Sequence, residues 1–469
     1  MTSLAQERAE QARWKARARH PEYDAFDRLV ENEFTPPELI AEEESAALRA
    51  VVEFAAAEVP HYRALFARLG LLSWKIRDRH DLARLPILSK QELRDGFESL
   101  KPDRLPPGEE IWGIVRTSGS TGPATRVVSS KENNLMFTLL NQRQTRWFRR
   151  DPAGTLAYIR LPSSFPQPRP GEWLALGETL RLPAWRYLGA FFETGPGIAF
   201  SVLNPEQDQI AWLRRERPDY LVTRSHTLEH LAMAVPGERP CDSLKAMTAI
   251  SEAITPATCR HLDSVYGAPV QMAYGLNEIG LVATRCEAGR YHVHREHCIV
   301  EIVDEAGLPC RAGEAGRLLL TGLCNFAMPL IRYDSNDLVT AVDGPCPCGR
   351  TLPAFGEIHG RYSRIKPLPP GTLERVATLR TTLQTMPLDF VRHLRRYQIH
   401  QLRDGSFELR MVTAGRLPPA FNERMLNAWS SMGGAANPPL AFREVDDIPL
   451  DTAVDKFDDF VSAFYEERG

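Results

Sequence analysis

From Ile111 onward the chain alternates short apolar runs with stretches of helical periodicity, and this alternation constrains its fold more than any other feature. Thr155-Leu-Ala-Tyr-Ile-Arg-Leu, Tyr220-Leu-Val-Thr, Leu244-Lys-Ala-Met-Thr-Ala-Ile and Val270-Gln-Met-Ala-Tyr read as strands. Strand–helix alternation implies an α/β sheet. One helix start is well marked: Thr255-Pro256 supplies a capping hydroxyl and then a proline where the missing N–H costs nothing. That helix is expected to run to about Tyr266 and stop at Gly267. Ahead of this region lies a helical lead-in, as in Ser45-Ala-Ala-Leu-Arg-Ala-Val-Val-Glu-Phe. Past Tyr291 the runs turn strand-rich, in His292-Val-His, Cys298-Ile-Val-Glu-Ile-Val and Arg317-Leu-Leu-Leu-Thr-Gly, which implies a β-rich subdomain.

A chain of 469 residues exceeds what one core usually organises, so two or more domains are expected. Lys366-Pro-Leu-Pro-Pro-Gly371 interrupts any helix or central strand and marks the boundary. The expectation is a large N-terminal domain over 1–365, with mixed sheets and helices and a β-rich part at about 285–360. Residues 366–469 would form a small, mobile α+β cap with a hairpin at Asp404-Gly405. With 57 Lys and Arg against 60 Asp and Glu, no global field exists to hold a polyanion, which argues against nucleic acid. No run of roughly eighteen apolar residues is present to cross a membrane. The first residues read as a solvated helix, not a secretory signal, and eight cysteines in so long a chain do not suggest a disulfide framework. A cytoplasmic setting fits best.

Two local features suggest nucleotide chemistry. Arg116-Thr-Ser-Gly-Ser-Thr-Gly122 is a hydroxyl- and glycine-rich loop whose N–H groups and hydroxyls, from Thr117, Ser118, Ser120 and Thr121, can donate to phosphate oxygens. It lacks the Gly-Lys-Ser/Thr ending of a Walker loop, and alone it is matched by a flexible linker. Met272-Ala-Tyr-Gly-Leu-Asn-Glu278 ends a predicted strand with an aromatic ring to flank a base and a carboxylate to hold magnesium. A Tyr-Gly turn and a surface glutamate are the plainer explanation.

With these pieces in order, the chain resembles the acyl-adenylate-forming superfamily, in its phenylacetate–CoA ligase-like branch with capsule-biosynthesis relatives. The resemblance rests on Thr117 to Gly122, Tyr274-Gly-Leu-Asn-Glu278, Arg332-Tyr-Asp-Ser-Asn-Asp337-Leu and Gly360-Arg361. It implies that Thr117, Ser118, Gly119, Ser120, Thr121 and Gly122 grip the phosphates of ATP. Glu278 would then hold Mg2+, Asp337 and Arg361 the ribose, and Ser251, Glu252 and Ala253 the adenine pocket. Tyr274, with Gly275 and Asn277 beside it, would stack near the base. The adenylation lysine of the family matches Lys456, although Asp455 replaces the glycine expected before it. Catalysis would rest on Lys456, Glu278 and Thr121. The acidic residues expected after Gly-Arg at the hinge are replaced by Ser363 and Arg364, so domain rotation between half-reactions would be altered.

Cys286, His292, Cys346 and Cys348 form a Cys3His set suited to a closed, structural Zn2+ site that would staple the β-rich subdomain. Free structural cysteines are the alternative for each sulfur alone. His226-Thr-Leu-Glu-His230 matches an inverted zinc-peptidase pattern but has no third ligand, and helical histidines explain it better. Phe165, Trp173, Trp185, Tyr187, Phe191 and Phe192 suit an aromatic acid and are equally core material. The expected reaction is attack of a carboxylate on the α-phosphorus of ATP with release of pyrophosphate, then transfer of the acyl group to coenzyme A. Rival acceptors are a carrier-protein thiol or an amine; a non-catalytic nucleotide-binding relative is the other alternative. A homodimer is the assembly allowed for.

Overall fold

The computed structural model describes residues 23–116, 125–166, 173–250, 254, 256–361, 393–413, 415–431, 437–446, 448 and 460–463, with scattered positions between 375 and 390. It opens with helices α1 (Tyr23–Glu31), α2 (Pro37–Glu58), α3 (Pro60–Leu69) and α4 (Lys90–Asp95). Strands β1 (Ile111–Arg116) and β2 (Arg126–Ser130) and helix α5 (Lys131–Trp147) follow. Next come β3 (Leu156–Arg160), β4 (Leu180–Leu182), β5 (Gly197–Ser201), α6 (Glu206–Glu216), β6 (Tyr220–Arg224), α7 (Ser225–Ala234), β7 (Ala246–Ile250) and α8 (Pro256–Tyr266). A strand-rich stretch holds β8 (Val270–Leu276), β9 (Gly280–Arg285), β10 (Tyr291–Val293), β11 (Cys298–Val303), β12 (Ala315–Gly322), β13 (Tyr333–Ala341) and β14 (Ala354–Arg361). The C-terminal part has β15 (Leu394–Gln401), β16 (Phe407–Thr413), α9 (Ala420–Ser430), β17 (Leu440–Glu444) and β18 (Phe460–Ser462).

The chain divides into two compact units, each discontinuous in sequence. One comprises Met1–Gly154, Leu182–Gly197 and Gln271–Gly360; the other comprises Thr155–Arg181, Ile198–Val270 and Arg361–Gly469. In the first, strands run in the order β11-β12-β13-β14-β10-β9-β8, antiparallel where β11, β12 and β13 meet and again across β14, β10, β9 and β8. β1 and β2 form a separate antiparallel hairpin, and the residues joining them are 117–125. Helix α2 buries Ile40, Leu48, Val51, Val52 and Ala55 on one stripe, the outcome of its helical periodicity.

The second unit carries strands in the order β7-β6-β3-β5, with β7, β6 and β3 running parallel, and α6 and α7 connecting β5 to β6 and β6 to β7. Trp212 of α6 is fully buried, stacks on Phe200 with ring centroids 4.9 Å apart and donates Nε1–H to Thr179 Oγ1 at 2.9 Å. Helix α8 stops where expected: Gly267 takes a φ of +66°, a left-handed conformation that glycine adopts without a Cβ penalty. The same unit contains β17-β16-β15-β18, its hairpin turning at Asp404-Gly405. Phe407, Leu409, Met425 and Trp429 lie in the core of that small α+β part. The architecture is thus the expected α/β one, a large mixed sheet system with a β-rich part and a separate smaller sheet. The proline-rich boundary at Lys366 to Gly371 and the cap at Thr255 lie outside the described residues.

Candidate active site and metal centre

Glu278 is buried, not a surface residue as its plainer explanation had it. The link from β8 to β9 is tight: a Cβ on Gly275 would meet the carbonyl oxygen of Gly280 at 2.7 Å, and Gly280 itself sits at φ +108°. Only glycine fits the first position. Glu278 projects from this link, and its Oε1 accepts from Tyr333 Oη at 2.9 Å and lies 3.2 Å from Lys90 Nζ.

Both partners arrive through one piece of backbone pairing. Leu88 N–H donates to Arg332 O at 3.0 Å, and Asp334 N–H donates to Leu88 O at 2.9 Å, which docks the start of α4 on β13. Ser89 and Glu92 form a capping box that begins the helix at Lys90. Arg332, at φ +51°, is fixed by ion pairing to Glu301 at 3.0 Å and by donation to Leu85 O at 2.6 Å. Neither Lys90 nor Tyr333 was singled out from the sequence. The signal for Lys90 was the Ser-x-x-Glu capping pattern, and Tyr333 stood inside the Arg332 motif.

Tyr274 and Asp337, distant in sequence, meet directly: Tyr274 Oη donates to Asp337 Oδ2 at 2.6 Å, and both are buried. The pairing register of β12 with β13 shifts near Asp337, and Asn336 adopts φ +63° while Asp337 N–H donates to Ser335 Oγ at 3.1 Å. Such a bulge re-aims a side chain, here the aspartate. Tyr274 also packs its ring edge-on to Phe355 at 5.8 Å. Asn277 Nδ2 donates to Arg116 O at 3.1 Å, joining the Tyr274–Glu278 motif to the last described residue before the Ser/Thr/Gly loop. Thr117, Ser118, Gly119, Ser120, Thr121, Gly122, Ser251, Glu252, Ala253, Ser363, Arg364 and Lys456 lie outside the described residues, as does the side chain of Arg361.

The metal-type residues converge as expected. One ligand atom from each of Cys286, His292, Cys346 and Cys348 lies within 4.8 Å of every other. Cys286 follows β9 and His292 lies on β10, while Cys346 and Cys348 stand on the turn before β14, which closes with Gly349 N–H donating to Cys346 O at 3.0 Å. The Cys286 and Cys346 sulfurs are 3.7 Å apart, and Cys348 Sγ is 3.2 Å from His292 Nε2. Zn–S bonds of about 2.3 Å in a tetrahedron put sulfurs roughly 3.8 Å apart, so the donors fit zinc. His292 Nδ1 lies 3.1 Å from Leu352 O, a bond that leaves Nε2 for the metal. The neighbouring Cys286 and His292 hold the Cys348 thiol below its ordinary value, which favours a thiolate there.

Among the described residues no second set of three or more metal-type side chains gathers. His226 and His230 place their rings 5.8 Å apart on α7, and His230 Nδ1 lies 3.9 Å from Glu206. The peptidase alternative therefore finds no third ligand there. Phe165, Trp185 and Phe192 are core residues, whereas Trp173 and Tyr187 are about half exposed.

No family model matches the chain. It is 27% identical over 405 residues to phenylacetate-coenzyme A ligase of Thermus thermophilus, covering 84% of this chain and 85% of the relative. It is 27% identical over 328 residues to the protein of the same name from Escherichia coli, covering 67% and 69%. The crystal structure of 2-hydroxyisobutyryl-CoA ligase in the postadenylation state with 2-HIB-AMP matches with a TM-score of 0.70 at 18% identity, covering 92% of this chain and 91% of that one. The fold is that of the acyl-adenylate-forming CoA ligases. Within that class the chain is similar to the phenylacetate–coenzyme A ligases, the branch its motifs resemble.

Proposed function

We propose that the chain is an AMP-forming acid–thiol ligase that adenylates a carboxylic acid and passes the acyl group to coenzyme A. One observation carries this reading: the Asn277–Arg116 hydrogen bond ties the carboxylate-bearing link to the root of the Ser/Thr/Gly loop. A phosphate-binding loop and an acidic group then serve one nucleotide. Relatives named phenylacetate-coenzyme A ligase make an arylacetic acid the first substrate to try.

In this mechanism the loop hydroxyls of Thr117, Ser118, Ser120 and Thr121 orient the phosphates for in-line attack by the acid. Asp337, held by Tyr274, accepts from a ribose hydroxyl, with Arg361 as its partner; Ser251, Glu252 and Ala253 line the adenine. Glu278 is the carboxylate suited to Mg2+, because Tyr333 orients it and hard oxygen donors suit that ion. When bound, the ion would offset charge on the phosphates. Lys456 would bridge acyl and phosphate oxygens, delivered by a cap domain that begins near 366. Cys286, His292, Cys346 and Cys348 would hold a structural Zn2+ with no open position for chemistry.

The test is ATP–pyrophosphate exchange across aryl, aliphatic and amino acids, followed by thioester formation with coenzyme A. Acid-dependent exchange that drops in Lys456→Ala and Glu278→Ala supports the reading. ATP binding without exchange for any acid would replace it with a non-catalytic nucleotide-binding protein.

A further inference from the structure

The two residues that follow Cys348-Gly349 reach beyond the β-rich part. Arg350 stands two residues past Cys348, and its Nε donates to Glu33 Oε2 at 3.2 Å. Next to it, Thr351 N–H donates to Glu33 O at 2.9 Å and Thr351 Oγ1 donates to Thr35 O at 2.6 Å. Thr351 Oγ1 also donates to Glu33 O at 3.2 Å, so the metal turn holds residues 33–35, which connect α1 to α2, by four direct bonds.

Glu33 has no solvent exposure and is shared by arginines from α5 as well. Arg143 Nε donates to its Oε1 at 3.3 Å and Arg146 Nη2 donates to the same oxygen. Burial alone would raise the Glu33 carboxyl, yet Arg146, Arg143 and Arg350 hold it below its ordinary value. Arg143 Nη1 further donates to Glu296 Oε2 at 3.0 Å. Trp147, one residue past Arg146, lies under the Arg350 guanidinium at 4.1 Å and turns its ring toward His292 at 6.1 Å.

Arg143, Arg146 and Arg350 gather around Glu33, with Glu296 pairing to Arg143 and Glu287 lying 3.5 Å from Arg350. Zinc with three thiolates and a neutral imidazole would carry one net negative charge, placed two residues from the Arg350 guanidinium-bearing position.

Resting on the zinc reading above, we propose that the metal centre and residues 33–35 hold each other in place, with Glu33 and Arg350 as positioning residues. Metal loading clamps the connection between α1 and α2 and the last turn of α5. By linkage, these contacts raise metal affinity by the same free energy with which metal stabilises the clamp. Partners outside the ligand shell commonly set affinity over about 10- to 100-fold.

The experiment titrates the full chain with zinc against a chromophoric chelator and follows hydrogen exchange of peptides spanning 26–36 and 346–353, with and without metal. Wild-type chain should bind one zinc, and stripping it should speed exchange in both peptides. Glu33→Gln should keep that stoichiometry with affinity weaker by about 10- to 100-fold. Thr351→Val, which removes the hydroxyl bonds to Thr35 O and Glu33 O and leaves every charge in place, should show a smaller loss and faster exchange at 26–36. One-to-one zinc binding unchanged by both variants, with 26–36 exchange insensitive to metal, sinks the clamp and leaves the zinc reading standing. A chain that binds no zinc removes both.

Discussion

Replacing Tyr333 by phenylalanine removes a hydrogen bond at the proposed magnesium carboxylate. Tyr333 is fully buried, and the change removes a single oxygen, so the packing of its ring on the surrounding core is kept. What disappears is the 2.9 Å hydrogen bond to Glu278 Oε1. Hydrogen bonds to charged groups are worth about 1.5–3 kcal/mol, and the oxygen left behind is buried with Lys90 as its other named partner. If Tyr333 orients Glu278 toward the ion, the half-saturating Mg2+ concentration for ATP–pyrophosphate exchange should rise about 10- to 100-fold, with the rate largely recovered at saturating Mg2+. A folded Tyr333→Phe protein whose Mg2+ dependence matches wild type would refute the role given to this pair.

Three further outcomes are expected. Trp212→Ala removes a fully buried ring stacked on Phe200 and should cost the second unit about 3–5 kcal/mol, read as a lowered thermal midpoint and earlier proteolysis. Ser89→Ala breaks the capping box at the start of α4 and should cost about 1 kcal/mol while weakening exchange through displacement of Lys90. His297 is buried neutral, with its pKa lowered from 6.5 to about 4 by burial. The unfolded chain then binds more protons between those values, so this contribution is complete above about pH 6.5 and shrinks by up to about 1.4 kcal/mol per pH unit down to pH 4. His297→Gln should flatten the stability profile in that window when denaturant midpoints are compared.

Much of the local structure follows from the sequence itself. Helix α8 ends at Gly267 because only a left-handed residue closes it there, and the hairpin turns at Asp404-Gly405 for a similar reason. The metal-type set was legible too, since a Cys-Pro-Cys-Gly turn exposes two sulfurs and a Cys/His pair on neighbouring strands supplies the rest. Spacing of this kind is set by a few residues of backbone, which local chemistry controls.

Tertiary structure decided what meets across long separations. Nothing in Pro86-Ile-Leu-Ser89 announces that it docks on Arg332 and Asp334, yet this pairing brings Lys90 to Glu278. Phe165, Trp185 and Phe192 read equally well as acid-pocket residues until packing buried them in the core. Nothing in the sequence around Glu33 marks it as buried. Its role comes from Arg143, Arg146 and Arg350, which lie more than a hundred residues away along the chain. A buried charge is defined by its distant partners, and sequence periodicity reports which face is apolar, not which charges that face will enclose.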